Sequence, residues 1–157
     1  MAGTIPVERS HVIRSAALLI LGTVLIDQVT KALATAAAAG NTSGAIVPVA
    51  NPEFSLGLAA ASVPVTVAVC AVGIVVFGGH AMRVALASRM PAWVPALLVG
   101  GAMSNLFDRL AFHAVRDFLA TPWVVFNLAD VAVVVGLFGL LAARRSAGKV
   151  TLEEVSS

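Results

Sequence analysis

The chain has 157 residues, of which 59% are apolar and only 11% charged, with a net charge of +2. A soluble domain averages about half apolar and about a quarter charged, so a water-soluble fold this short could not hide the surplus, and the natural solvent is lipid. The small net charge gives no basis for nucleic-acid binding, and a single cysteine, Cys70, excludes an internal disulfide.

A bilayer core of about 30 Å asks for roughly 20 mostly apolar residues per helix. The first such stretch runs from about Val12 to Ala34, preceded by Arg9 and Arg14 and carrying Asp27 and Lys31 near its end. A basic start, an apolar run to Ile26 and the alanines from Ala34 to Ala39 also suit a cleavable secretory signal. Asp27 and Lys31 favour a retained helix. The connection from Asn41 to Ser62 is rich in Gly, Pro, Asn and Ser, with alternating pieces such as Ala45 to Val49. It reads as a small irregular β element outside the membrane. The second helix is expected at about Val63 to Met82, with Cys70 packed in its middle, and the third at about Trp93 to Leu110. Between Ala111 and Pro122, the near-helical spacing of Phe112, Val115, Phe118 and Leu119 predicts a surface helix with its apolar side in lipid. The fourth helix is expected at about Trp123 to Ala143. Both tryptophans lie at the edges of apolar runs, where interfacial aromatics sit.

The fold class expected is an all-α integral membrane protein: four transmembrane helices, a small extracytoplasmic β element and a surface helix. A single membrane domain covers residues 1–157, with extracytoplasmic connections at about 41–62 and 111–122. Seven of the ten basic residues (Arg9, Arg14, Arg83, Arg89, Arg144, Arg145 and Lys149) then share one side, which should be the cytoplasm, with both termini inside. Lys31, Arg109 and Arg116 fall at the opposite face, beside acidic residues, and need another reason.

That topology brings Asp27, Asp108, Asp117 and Asp130 to one level, near the outer face. An Asp at a helix centre costs about 2.5–3.5 kcal/mol on insertion scales, so intramembrane carboxylates usually face the interior and mark function. Spacing sharpens the point. Asp27 and Lys31 are i, i+4, as are Asn105 and Arg109, with Asp108 three residues after Asn105; Asn127 and Asp130 also lie three apart. Gly100, Gly101, Ala102 and Ser104 let another helix approach closely. Taken singly, Asp27 with Lys31 and Asp108 with Arg109 also suit interfacial ion pairs, Asp117 suits solvated surface, and Asn51 suits turn chemistry. Asn127 with Asp130 has the weakest such alternative, because apolar residues follow it directly.

Other chemistries lack their motifs. There is no His-Glu-x-x-His, and His11, His80 and His113 fall in three connections without ligand spacing. Neither Gly-x-Ser-x-Gly nor a nucleotide-binding glycine loop occurs. What remains is carboxylate chemistry, in which two carboxyls sharing a site hold one proton while the other activates water.

The residues resemble the bacterial lipoprotein signal peptidases, the signal peptidase II family, over nearly the whole chain. Asp27-Gln-x-x-Lys31 is similar to the block ending the family's first helix, and Asn51 with Ser55 and Gly57 to its outer-loop block. Gly100-Gly-Ala-Met-Ser-Asn-Leu-Phe-Asp-Arg109, continuing to Val115-Arg-Asp-Phe118, resembles the third block, and Phe126-Asn-Leu-Ala-Asp-Val-Ala132 the fourth. The resemblance implies an aspartic endopeptidase, without metal or cofactor, that cuts prolipoproteins just before a diacylglyceryl-modified cysteine. Asp117 and Asp130 correspond to its catalytic aspartates. Asn51, Gly101, Asn105, Arg109 and Asn127 correspond to positions lining the substrate pocket, and Asp27, Lys31 and Asp108 to supporting charges, with Asp108 expected to position Arg109 and Asn105. The expected partners are lipid-modified prolipoproteins and membrane lipids, with no nucleic acid, and the expected state is a monomer in the bacterial cell membrane.

The chain departs from the family pattern at Glu53 and Phe54, where Gly and Ala are usual, at Ser104, where Gly is usual, and at Arg116, a common valine. The stretch from Asp117 to Asp130 is also short. Glu53, Phe54 and Arg116 favour an alternative, a catalytically weak or inactive membrane protein that binds lipopeptide segments.

Overall fold

The computed structural model of the protein describes residues 5–38, 46–51, 63–87 and 90–155. Helix α1 (Ile5–Ala38) is followed by strand β1 (Ile46–Asn51). Helix α2 (Val63–Gly73) passes through a π-helical turn, Ile74–Gly78, into α3 (Gly79–Leu86). Then come α4 (Trp93–Phe112), β2 (Val115–Ala120), β3 (Val125–Phe126) and α5 (Leu128–Val155). Arg9–Ala38 and Pro64–Leu86 are long and apolar enough to cross a membrane, and Leu128–Ala143 is a shorter apolar helix.

The packing is inside-out relative to a soluble protein. Large apolar side chains such as Leu18 (71% exposed), Val75 (73%) and Phe138 (68%) face outward. Buried positions are taken by small residues, Ala16, Ala81, Ala96 and Ala129, and by charged or polar ones, Asp27, Lys31, Ser104, Asp108, Asp117 and Asn127. In lipid, apolar side chains gain nothing by leaving the solvent, so close backbone approach and polar contacts hold helices together. Helix α4 lies between α1 and α5. A Cβ on Gly101 would stand 2.4 Å from the Ala129 carbonyl oxygen, and one on Gly136 would stand 2.7 Å from the Leu98 nitrogen. Gly101→Val is therefore expected to force α5 away from α4 and to lower the unfolding temperature in detergent micelles by several degrees. Gly22→Ala, with nothing within 4 Å, is the neutral control. Equal unfolding temperatures for the two variants would contradict this packing.

The surface helix expected between Ala111 and Pro122 is replaced by a strand. Helix α4 stops at His113, whose backbone is left-handed (φ 60) and whose N–H donates to the Arg109 carbonyl at 3.1 Å. Beyond it the chain is extended, with Val115, Asp117 and Phe118 buried. Val115 and Asp117 go inward, and β2 gains its backbone partners from β1 and β3. The sheet order is β1-β2-β3, all antiparallel, with Val49 opposite Asp117, Ala50 opposite Arg116 and Asn51 opposite Val115. The β element expected in the first connection is thus β1, and Pro48 falls within its irregular step between Ile46 and Val49, on an edge strand where a missing donor is tolerated.

The last helix also starts later than expected, at Leu128 rather than near Trp123. The intervening residues form a tight hairpin, Thr121 N–H to Val124 O at 2.9 Å, with Trp123 91% exposed at its tip. A strand needs its partner at a fixed distance, so the short link from Asp117 to Asp130 makes one hairpin and one helix turn.

Candidate active site

The hairpin feeds straight into the N-terminus of α5, and its first turn is capped reciprocally. Asn127 Oδ1 accepts from the Asp130 N–H at 3.0 Å, and Asp130 Oδ2 accepts from the Asn127 N–H at 3.1 Å. This is a capping box with Asn at the N-cap and Asp three residues on. Helix termini leave N–H groups free and concentrate positive potential, so Asp130 is held where an anion is favoured.

Asn127 has a second duty. Its Nδ2 donates to Asp117 Oδ1 at 2.6 Å, while Asn51 Nδ2 on β1 donates to Asp117 Oδ2 at 3.2 Å. One residue thus joins the two carboxylates, Asp117 through its side-chain amide and Asp130 through its backbone N–H. Burial pushes the Asp117 carboxyl above its usual range, the donors Asn127 and Asn51 pull it back, and the nearby Asp130 charge raises it again. Asp117 is 4% exposed, so the desolvation is severe and favours the protonated form.

Asn105, on α4, reaches Asp130 Oδ1 with its Nδ2 at 2.8 Å. Its carbonyl oxygen accepts from Lys31 Nζ at 2.9 Å and from Asn127 Nδ2 at 3.2 Å. Two donors on the oxygen fix the amide's orientation, so its NH2 group must face Asp130.

Behind this layer lies a buried charge cluster. Lys31 Nζ stands 2.6 Å from Asp27 Oδ2 and 3.0 Å from Asp108 Oδ2. Asp27 also accepts from Ser104 Oγ at 2.7 Å and from the Ala129 N–H at 2.8 Å, which ties α1 to α4 and to the first turn of α5. Asp108 accepts from the Arg116 N–H at 3.0 Å, Arg116 Nη2 at 2.7 Å and Gln28 Nε2 at 3.0 Å. Removing one member of such a buried set strands a charge, at a cost of about 3–5 kcal/mol.

Asp27, Lys31, Asn51, Asn105, Asp108, Asn127, Asp117 and Asp130 therefore come together from four elements and the α5 cap. Two expected site residues stand apart. Gly101 is pressed against the α5 backbone, a packing position. Arg109 is buried, its Nη1 donating only to its own helix at Asn105 O, 3.4 Å away, and its Nε finds no partner among the described residues. Asp108 pairs with Lys31 and Arg116, not with Arg109, and reaches Asn105 only through Lys31. The reason is helical geometry, since adjacent residues on α4 point about 100° apart. Gln28, Ser104 and Arg116 were missed as participants. The glutamine's position one residue after Asp27 was the available signal. Glu53, Phe54, Ser55 and Gly57 lie outside the described residues.

A cavity of about 230 Å³ adjoins Asp117, walled by Thr35, Val49, Ala50, Arg116 and Phe118. It provides room beside the Asp117 carboxyl.

Fold and site together define a membrane protein with a buried charge cluster behind two amide-held carboxyl groups. A solved structure described as a bacterial membrane enzyme determined by the in meso method at 2.3 Å resolution superposes with a TM-score of 0.71. It shares 20% identity over 85% of this chain and 89% of that one, which shows the common fold. Residues 19–144 match the family described as signal peptidase (SPase) II. A lipoprotein signal peptidase from Pelotomaculum thermopropionicum is 38% identical over 129 residues, 73% of this chain and 80% of that relative. One from Methylorubrum extorquens is 49% identical over 59 residues, an alignment spanning 34% of this chain and 34% of the relative, so the match covers about a third of that relative's length. This chain belongs to the signal peptidase II family.

Proposed function

We propose that the chain is an intramembrane aspartic endopeptidase that removes signal peptides from diacylglyceryl-modified prolipoproteins, cutting before the lipidated cysteine. The observation that carries the reading is the pair Asp117 and Asp130, joined through Asn127 and both held by amide donors. The Asp130 carboxylate would take one proton from a water bound between the pair as the water oxygen attacks the scissile carbonyl carbon. Asp117, whose carboxyl burial pushes toward its neutral form, would as the acid polarise the scissile carbonyl and later protonate the leaving amine as the C–N bond breaks. Asn51 and Asn105 lie on either side of the pair and would hold the peptide backbone. No step requires a metal or cofactor.

The protein sits in the bacterial cell membrane as one domain with four spanning helices: α1, the α2–α3 run, α4 and α5. The sheet and the carboxylates lie at the outer face, both termini are cytoplasmic, and a monomer suffices. Positive charge in the last turn of α3, at Arg83, supports this orientation. Cysteines introduced in the first connection should label with an impermeant thiol reagent in intact cells, and a C-terminal cysteine should not. The opposite pattern would reverse the topology.

The decisive experiment incubates purified protein with a lipid-modified prolipoprotein and follows its gel mobility. A shift to the mature size is expected, and no shift at any enzyme concentration would reject the reading. The rate should follow a bell-shaped pH profile whose two apparent values belong to the pair. The acid Asp117 must keep its proton, so activity is present below its raised pKa and is lost as pH rises through it. Stability follows the same sign, since the folded state holds this proton more tightly than the unfolded chain does.

A further inference from the structure

Arg116 fastens strand β2 to helices α4 and α1. Its backbone N–H donates to Asp108 Oδ2 at 3.0 Å and its Nη2 to Asp108 Oδ1 at 2.7 Å, so one residue of β2 grips both oxygens of one carboxylate on α4. The same Nη2 donates to Gln28 Oε1 on α1 at 2.6 Å. Gln28 in turn spends its Nε2 on Asp108 at 3.0 Å and on Ser104 Oγ at 2.9 Å, and Ser104 donates to Asp27. The guanidinium lies 4.2 Å from the centre of the Phe112 ring, which restricts it further.

Successive residues of a strand point to opposite faces. Arg116 turns toward α1 and α4, and Asp117 turns toward Asn51 and Asn127. Arg116 is thus one residue from Asp117 yet outside its first contacts. It also balances charge. Asp27 and Asp108 face Lys31 and Arg116, two anions and two cations. Without Arg116, Lys31 alone serves two carboxylates, and the cluster behind the aspartate pair becomes net negative.

We propose that Arg116 is a positioning residue for Asp117, acting through Asp108, with Gln28 and Ser104 as the partners that this chain supplies for it. The proposal rests on the protease reading for its kinetic effects but not for its electrostatic ones. The charged groups acting directly on Asp117 are Asp130 from α5 and Lys31 from α1; Asp108 from α4 and Arg116 from β2 act at one remove, through Lys31, while β1 contributes the neutral Asn51.

The test compares Arg116→Val, Asp108→Asn and the double variant, purified in detergent micelles. Arg116→Val leaves a surplus anion, so the alkaline limb of the rate profile should move to higher pH, by on the order of one unit. Asp108→Asn leaves a surplus cation and should move the limb the other way. The double variant is neutral again and should return close to wild type. Arg116→Lys keeps the charge but loses the planar guanidinium, so it should leave the limb in place and lower kcat more than it raises KM. A purely structural residue would give no opposite-signed pair of shifts. Carbon-13 NMR titration of the Asp117 carboxyl reads the same shifts without turnover. If the titrations move as stated while wild type cleaves nothing, the protease reading fails and the positioning role stands. Unmoved limbs and titrations in both single variants, or shifts of the same sign, overturn the positioning role. Should Arg116→Val not fold, a double variant that retains the full Asp108→Asn shift overturns it equally.

Discussion

Asp117→Asn and Asp130→Asn are each expected to lower turnover of a lipid-modified prolipoprotein by about 10²–10⁴-fold while the protein still inserts and folds. Asparagine has nearly the shape of aspartate but cannot exchange the proton that both halves of the mechanism need. Groups that act as a unit are strongly non-additive, so the double variant should be scarcely worse than either single one. Asp117→Asn should still fold, its one amide oxygen keeping one of the two amide donors, Asn127 or Asn51. Asp108→Asn should retain measurable cleavage, since its contacts are to Lys31, Gln28 and Arg116 rather than to the pair. Processing at near wild-type rate by both single variants at 117 and 130 would remove the protease assignment and leave the lipopeptide-binding alternative in its place.

The second large effect falls on Asn127, because two functions share one side chain. Asn127→Ala removes the N-cap of α5 and the Asp117 donor at once. The cap is worth about 0.5–2 kcal/mol, and loss of the donor should lower turnover by a further factor of about 2–10, roughly the worth of a hydrogen bond between neutral groups. Asn127→Ser separates the two. Serine caps a helix about as well as asparagine, so stability in detergent should recover. Its hydroxyl is too short to replace an amide reaching Asp117, so turnover should not. Unfolding temperature and kcat measured on both variants check this, and recovery of kcat by serine would show that only the cap matters.

With Arg116 engaged by Asp108 and Gln28, one of the departures that favoured a degenerate site has a structural place. Ser104 has one too, bonded to Asp27. A glycine could not supply that hydroxyl. The two departures meet at Gln28, so they read as parts of one cluster rather than as independent losses.

The membrane character, the approximate helices and the four aspartates were legible in the sequence, because each depends on local composition. A run of about 20 apolar residues can satisfy its backbone in lipid only as a helix or a closed barrel, and a carboxylate within it must find a partner. The blocks around Asn105 and Asn127 likewise announced themselves by spacing. What the sequence could not decide was the conformation of Ala111 to Phe126. Phe112, Val115, Phe118 and Leu119 have helical spacing, and β2 exists because β1, over 60 residues earlier, lies alongside with Val49 opposite Asp117. Strand pairing is non-local, so its hydrogen bonds leave no periodic trace in the segment that makes them. The same holds for partner choice within the charge cluster. Asp108 beside Arg109 looked like a pair along the chain, but neighbours on a helix diverge, and only the packing of α1 and β2 against α4 delivers Lys31, Gln28 and Arg116 to that carboxylate.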